Sequence, residues 1–277
     1  MYFRLRVPRG GRPMIDVQSR ADRRGIALDR AGVMDLRYPI VVLDRKNERQ
    51  QTTARVTMSV SLPHHFKGTH MSRFIEVLNE HRGEVTMRTL PKLLKELRER
   101  LEAESARVEL HFTYFLERAA PQSGARGLMD YECSFVGESS GTRDDFILGV
   151  RVPVTSLCPC SKEISDYGAH NQRGIIGVDV RSTEAAAGGP SLIWIEELVE
   201  IAERAASAPV YPLLKRSDER HVTMQAYENP VFVEDMVRNV AAALMEDARV
   251  GWFAVQAVNY ESIHNHSAFA SMQWSRE

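Results

Sequence analysis

Cysteine is scarce in this chain, with three among 277 residues, at positions 133, 158 and 160. That supply does not build a secreted disulfide framework. Cys158 and Cys160 stand one proline apart, too close for an ordinary bridge between separate elements. Long hydrophobic runs are missing as well. No stretch approaches the roughly 20 apolar residues that cross a bilayer, and the opening MYFRLRVPRGGRP alternates arginine with apolar residues instead of forming the continuous core of a signal peptide. Nor does one charge dominate: 36 basic residues against 37 acidic ones leave a formal net charge of −1. No global field therefore draws the chain to nucleic acid or to an anionic membrane, and an anionic ligand must be held by local groups. These absences predict a reduced, cytoplasmic setting with no membrane and no nucleic-acid partner.

What is present is an ordinary globular balance, 43% apolar and 26% charged, and not a disordered one. The length leaves room for one large domain or two of roughly 150 residues each. Residues 1–28 carry Arg4, Arg6, Arg9, Arg12, Arg20, Arg23 and Arg24 with little apolar periodicity, and read as a flexible, solvated tail more readily than as a nucleic-acid arm.

After the tail the chain states one order of elements twice. Val33–Leu43 and Thr53–Leu62 alternate as strands. Met71–Arg82 and Leu90–Leu101 are predicted helices, the second with Leu93, Leu94, Leu97 and Leu101 at the helical period. Strand patterns return at Ala106–Leu116 and Leu128–Val136. The second half offers strands at Phe146–Val154 and Gly174–Val180, helices at Ile193–Ala206 and Val231–Asp247, and closing strands at Phe253–Tyr260 and Ala268–Trp274. Asn229-Pro230 is placed at the cap and first turn of the last helix. Two ββααββ units predict an α+β fold of antiparallel sheets with helices packed on one face. The Gly- and Ser-rich run at 137–144 reads as a linker, dividing a first module, 29–140, from a second, 141–277.

The chemistry concentrates in TSLCPCSKEISDYGAHNQRG, residues 155–174, where a strand runs out into a polar loop holding two cysteines, a histidine and an arginine. Thiolate sulfur and imidazole nitrogen are preferred ligands of zinc and its first-row neighbours. Two such ligands leave a third to come from elsewhere and a position for water. The same run also fits a reduced cysteine beside a loop histidine. In KRSDER, Glu219 falls in a predicted loop between helical stretches, where a solvated surface charge is the ordinary outcome. Glu234 lies three residues before Val237 and seven before Ala241, on the edge of an apolar stripe. A carboxylate there is expected to be partly desolvated, which is costly without a partner; the adjacent N–H donors of a guanine edge would be one. At 261–267, ESIHNHS, a strand period of two puts His264 and His266 on one face. Cys133 alternates with Tyr131 and Phe135 and reads as core.

Taken together, SLCPCSKEISDYGAHNQRG, YPLLKRSDER, NPVFVEDMVR and NYESIHNHSA, with FKGTHMSRF at 66–74 and GVMDLRYPIVV at 32–42, resemble the type IB GTP cyclohydrolase family. The resemblance covers nearly everything after the tail, leaving out a small loop insertion at 184–191. It implies the tunnelling fold, two tandem ββααββ modules per subunit, assembled as a homotetramer with active sites at subunit interfaces. It makes Cys158, His170 and Glu219 the residues of a site for one divalent metal ion (zinc, manganese or iron(II)), with no organic cofactor. Glu234 becomes the guanine anchor, and Cys160, Glu261 and His264 line the site. The implied reaction turns GTP and water into 7,8-dihydroneopterin triphosphate and formate, the entry to folate-type pterin synthesis. Lys67, His70, Arg73, Lys162 and Arg173 are candidates for the triphosphate by their chemistry alone. Two other readings compete. A nitrile reductase of the same fold would use cysteine as a covalent nucleophile toward a deazaguanine, with NADPH and no metal. A zinc-stapled RNA-binding module would need a closed four-ligand site and a positive patch on the folded body, and the sequence supplies neither.

Overall fold

The computed structural model describes residues 18, 20–81, 86, 89–141, 143–185 and 190–276. The expected tail falls mostly outside them. Its described end is tied down by backbone hydrogen bonds: Gly68 N–H to Gln18 O, Lys67 N–H to Arg20 O and Asp22 N–H to His65 O.

The first half runs β1 (Leu28–Asp44), β2 (Glu48–Leu62), α1 (Met71–Glu80), α2 (Leu90–Leu101), β3 (Ser105–Ala119) and β4 (Arg126–Ser140). The second runs β5 (Arg143–Leu157), α3 (Pro159–Ile164), β6 (Asn171–Ser182), α4 (Ile195–Ala205), the two-residue β7 (Ala208–Pro209), α5 (Arg216–Glu228), α6 (Val233–Glu246), β8 (Val250–Asn259) and β9 (Ala268–Ser275). All strands join one antiparallel sheet in the order β1-β2-β3-β4-β5-β6-β8-β9, with β7 added beside the end of β5.

The period of two decides which face is covered. Val56, Met58 and Val60 of β2, Tyr131, Cys133 and Phe135 of β4, and Ile176, Val178 and Val180 of β6 are all buried. They share one apolar cluster with the helical stripes, such as Leu93, Leu94 and Leu97 of α2 and Met236, Val237 and Val240 of α6. Cys133 is core, as its alternation predicts, and burial pushes its thiol well above the ordinary range. The opposite face is polar. There Arg107 pairs with Glu109 at 2.6 Å and Glu138 at 2.9 Å, and Arg151 with Asp179 at 3.0 Å.

Two local expectations change. The run 137–144 is not a linker: β4 continues through Ser140, β5 opens at Arg143, and Ser139 pairs with Asp144 across the hairpin. Ser139 is buried, and its hydroxyl accepts from the Arg98 guanidinium at 3.1 Å, so a polar side chain is satisfied within a strand. The last helix starts at Val233 behind the cap residue Phe232, whereas Asn229 closes α5 and donates its amide to Ala206 O at 3.0 Å.

Candidate functional site

Strands β5, β6 and β8 converge at one corner of the sheet, where the chain leaves β5 at Leu157. Cys158 caps α3: Pro159 occupies the first turn, where its missing N–H costs nothing, and the Cys158 sulfur accepts from Ser161 N–H at 3.4 Å. The loop then returns to start β6. Cys158 N–H donates to His170 O at 3.1 Å, and His170 N–H donates to Ser161 Oγ at 3.3 Å. Ser161 thus touches both candidate ligands, the Cys158 sulfur through its N–H and the His170 backbone through its hydroxyl.

The His170 ring is oriented by its Nδ1. Gln172 Oε1 lies 2.9 Å away, Ser262 Oγ 3.5 Å and Glu261 Oε2 3.9 Å. Gln172 is buried, and its carbonyl oxygen calls for a proton on Nδ1, which leaves the Nε2 lone pair available to a metal. A half-buried thiol and an imidazole held in that tautomer fit a divalent transition metal. Among the described residues, no three His, Cys, Asp or Glu side chains stand close enough together to hold a metal ion.

Glu234 is brought to the same corner from another direction. Val231, three residues earlier, donates N–H to Leu157 O at 3.2 Å and accepts from Ser156 Oγ at 3.2 Å. Ser156 in turn accepts from the Asn259 amide at 3.0 Å. Asn259 fits because its partner across the ladder is Gly174; a Cβ at 174 would lie 2.5 Å from Asn259 Oδ1. The Glu234 carboxylate is exposed in the single chain, not partly desolvated, because the first turn of α6 turns it off the apolar stripe.

Glu219 lies in the first turn of α5, not in a loop, and is exposed. The other end of that helix touches α3, where Lys162 Nζ donates to Tyr227 O at 2.5 Å and sits 4.4 Å from the Tyr227 ring centroid. Glu219 stands eight positions earlier in the helix than Tyr227, about 12 Å of rise. His264 and His266 follow β8 in a bent loop and not in a strand, yet their rings stack at 5.1 Å, and His264 meets the His170 ring edge-on at 6.3 Å. Cys160 is exposed on α3, and Arg173 is exposed at the start of β6.

Lys67, His70 and Arg73 are elsewhere. They follow the end of β2, at the edge of the sheet where β5 begins, and β5 covers roughly 45 Å before reaching Cys158. Arg73 there donates to Arg100 O at 2.8 Å. One chain therefore assembles Cys158, His170, Glu261 and His264, with Glu234 anchored to the end of the same strand, and keeps the first-half cations at the far end. Ser161, Gln172, Ser156 and Asn259 were not singled out by sequence; of these only Gln172 left a signal, standing two residues from His170 at a strand start.

This polar corner on one continuous antiparallel sheet belongs to the tunnelling-fold class. The fold is similar to that of uricase from Arthrobacter globiformis, with a TM-score of 0.53 and 11% identity over 90% of this chain and 94% of that one, and to urate oxidase from Bacillus sp. TB-90, at 0.53 and 10% over 90% and 100%. At that identity the likeness concerns the fold alone. Within the class, the family model described as type I GTP cyclohydrolase folE2 matches residues 14–270. A relative from Citrifermentans bemidjiense named GTP cyclohydrolase FolE2 is 54% identical over 262 residues, 95% of each chain. One of the same name from Magnetococcus marinus is 54% identical over 261 residues, 94% of this chain and 96% of that one. The chain belongs to the type I GTP cyclohydrolase folE2 family. The match begins at residue 14, inside the segment that the resemblance had left out.

Proposed function

We propose that the chain is a metal-dependent GTP cyclohydrolase I, a hydrolase that converts GTP and water to 7,8-dihydroneopterin triphosphate and formate at the corner built by Cys158 and His170. The observation that carries the metal site is the loop closure by Ser161 and Gln172, which holds a thiol beside an imidazole whose Nε2 is left open. Cys158 and His170 hold one divalent ion (zinc, manganese or iron(II)), with Glu219 completing the set in the assembled enzyme and no organic cofactor required. When bound, that ion supplies Lewis acidity, which brings the pKa of water from about 15.7 toward roughly 7.

The chain's own residues do the remainder. Glu234 accepts the N1 and N2 protons of guanine and so presents C8 to the loop. Water adds at C8, the imidazole ring opens, C8 leaves as formate, and the rearranged ribose closes the new ring. His264, whose ring meets that of His170 edge-on, carries protons between these steps, with Glu261 and Cys160 lining the same space. Lys162 and Arg173 at this corner, and Lys67, His70 and Arg73 from a second copy, receive the triphosphate.

That last assignment asks for an oligomer, and the homotetramer is supported by what one chain leaves uncovered. Ile164, Tyr167, Tyr227, Phe232, Tyr260 and Ile263 are exposed around the corner, an apolar rim of the kind that marks an interaction surface. β1 and β9 end the sheet without an outer strand partner among the described residues. Among the described residues no helix is long and apolar enough to cross a membrane, and free thiols at 133, 158 and 160 suit work in the cytoplasm.

Chelation tests this reading. Treated with a strong chelator, the enzyme should stop releasing formate from GTP, and manganese or zinc should restore release. Trapping a thioimide on Cys158 with a nitrile-bearing deazaguanine, accompanied by NADPH consumption, would replace the hydrolytic reading with the reductive one.

A further inference from the structure

Helix α5 has little apolar reason to lie where it does. A surface helix ordinarily docks through an apolar stripe, but of the 13 residues in α5 only Asp218 and Ala226 are buried. Its first turn is held instead by the Asp218 carboxylate, which has no exposed surface. Oδ1 accepts from Gln122 N–H at 2.7 Å and Ser123 N–H at 2.8 Å; Oδ2 accepts from the Ser123 hydroxyl at 2.6 Å and Lys215 N–H at 2.8 Å. Four donors satisfy a buried carboxylate that would otherwise be costly to desolvate.

Three of those donors come from the loop between β3 and β4, some 95 residues earlier in the chain, and the fourth closes the first turn of α5 itself. The loop is shaped to present them. Gly124 takes φ +67°, which a residue with a Cβ rarely adopts, its N–H donates to Ala120 O at 3.1 Å, and Ala120 N–H donates to Ala125 O at 2.9 Å. The residue after Asp218 is Glu219, whose N–H donates to Lys215 O at 2.9 Å within the same clamped turn.

The geometry points to Asp218 as the positioning residue for Glu219: the β3–β4 loop of the first half, acting through Asp218, holds the station of the Glu219 carboxylate and thereby sets metal affinity. The inference rests on the reading of Glu219 as a metal ligand. Asp218 itself turns inward to the loop, with both oxygens occupied by donors. Asparagine cannot replace it, because its NH₂ would face the Ser123 hydroxyl and Lys215 N–H where Oδ2 now accepts from both.

The test is an equilibrium titration of metal-depleted full-length protein with Mn²⁺, for wild type, Asp218→Asn, Ser123→Ala, Ser123→Thr and Glu219→Gln, with the thermal midpoint of each metal-free protein measured alongside. Asp218→Asn should weaken Mn²⁺ binding about 10- to 100-fold, as loss of an outer-shell partner does. Ser123→Ala should weaken it less, and Ser123→Thr, which keeps the hydroxyl, should restore it. An Asp218→Asn protein that melts lower but binds Mn²⁺ like wild type overturns the inference. Should that variant not fold, wild-type affinity in Ser123→Ala overturns it instead. Weakened binding in Glu219→Gln beside normal binding in Asp218→Asn removes the inference alone, whereas normal binding in Glu219→Gln removes the ligand reading and the inference with it.

Discussion

His170 shows how single atoms decide what this corner can do. A free imidazole offers either nitrogen, but Gln172 Oε1 at 2.9 Å claims the proton of Nδ1 and leaves the Nε2 lone pair available. Gln172→Ala should therefore lower metal affinity about 10- to 100-fold while Cys158 and His170 stay in place; wild-type affinity in an Mn²⁺ titration would show that the ring needs no such guide. Residue type and motif singled out Cys158, His170 and Glu234, and the fold brings all three to one corner. Gln172, Ser161 and Asn259 were not singled out, because their part is to hold other residues, and such contacts appear only when the chain folds back. Glu234 makes a second prediction. Glu234→Gln keeps the shape but turns an NH₂ toward a guanine donor, and such mispairing costs about 2–5 kcal/mol, roughly 30- to several-thousand-fold in GTP turnover. Metal binding should be unchanged, and ATP, with an acceptor at N1 and no 2-amino group, should be a poor substrate for the wild type. Normal kinetics with GTP in the variant would move the guanine anchor elsewhere.

At the scale of elements, legibility follows burial. Helix α2 was readable to the residue, Leu90–Leu101, because Leu93, Leu94, Leu97 and Leu101 all face the core. Helix α5 left no stripe to read: its buried pair is an aspartate and an alanine, so its position is written in polar contacts between distant segments. The seam at 137–144 was misread for a related reason, since Ser139 fills a core-facing strand position that an apolar residue would have announced. The β1–β2 turn is a further polar device. Asp44 is buried and accepts from Lys46 N–H at 2.9 Å and Asn47 N–H at 2.7 Å, with the side chains of Asn47 and Gln50 at 3.3 Å. Burial pushes its carboxyl up, but these donors outweigh burial and hold it below the ordinary range. The folded value is thus the lower one, so the ionised group stabilises the fold above the unfolded value of about 3.9, and that contribution is lost as pH falls through the folded value. Asp44→Asn should cost about 1–3 kcal/mol at pH 7 by denaturant unfolding, and its deficit against wild type should shrink below about pH 4. A deficit of equal size at every pH would show that the charge is irrelevant there.

For the whole molecule, the sheet sets the distances. Antiparallel connection sends β2 and β5 to opposite ends, so the cations at 67, 70 and 73 cannot meet the thiol and imidazole of their own chain, and the doubled ββααββ order alone did not reveal this. The proposed completion of the site by a neighbouring copy has a direct genetic consequence. Lys67→Ala/His70→Ala protein and Cys158→Ala protein should each be inactive alone, yet co-assembled in equal amounts they should recover roughly a quarter of wild-type activity by random pairing across a symmetric interface. No recovery in verified mixed oligomers would confine the site to one chain. The measurement closest to the central claim follows the carbon that leaves. With GTP labelled at C8, the wild-type enzyme loaded with metal should release the label as formate, one equivalent for each dihydroneopterin triphosphate formed, and Cys158→Ala should release none and bind metal weakly. Label retained in the nucleotide product, or full release of labelled formate by Cys158→Ala, would contradict the account.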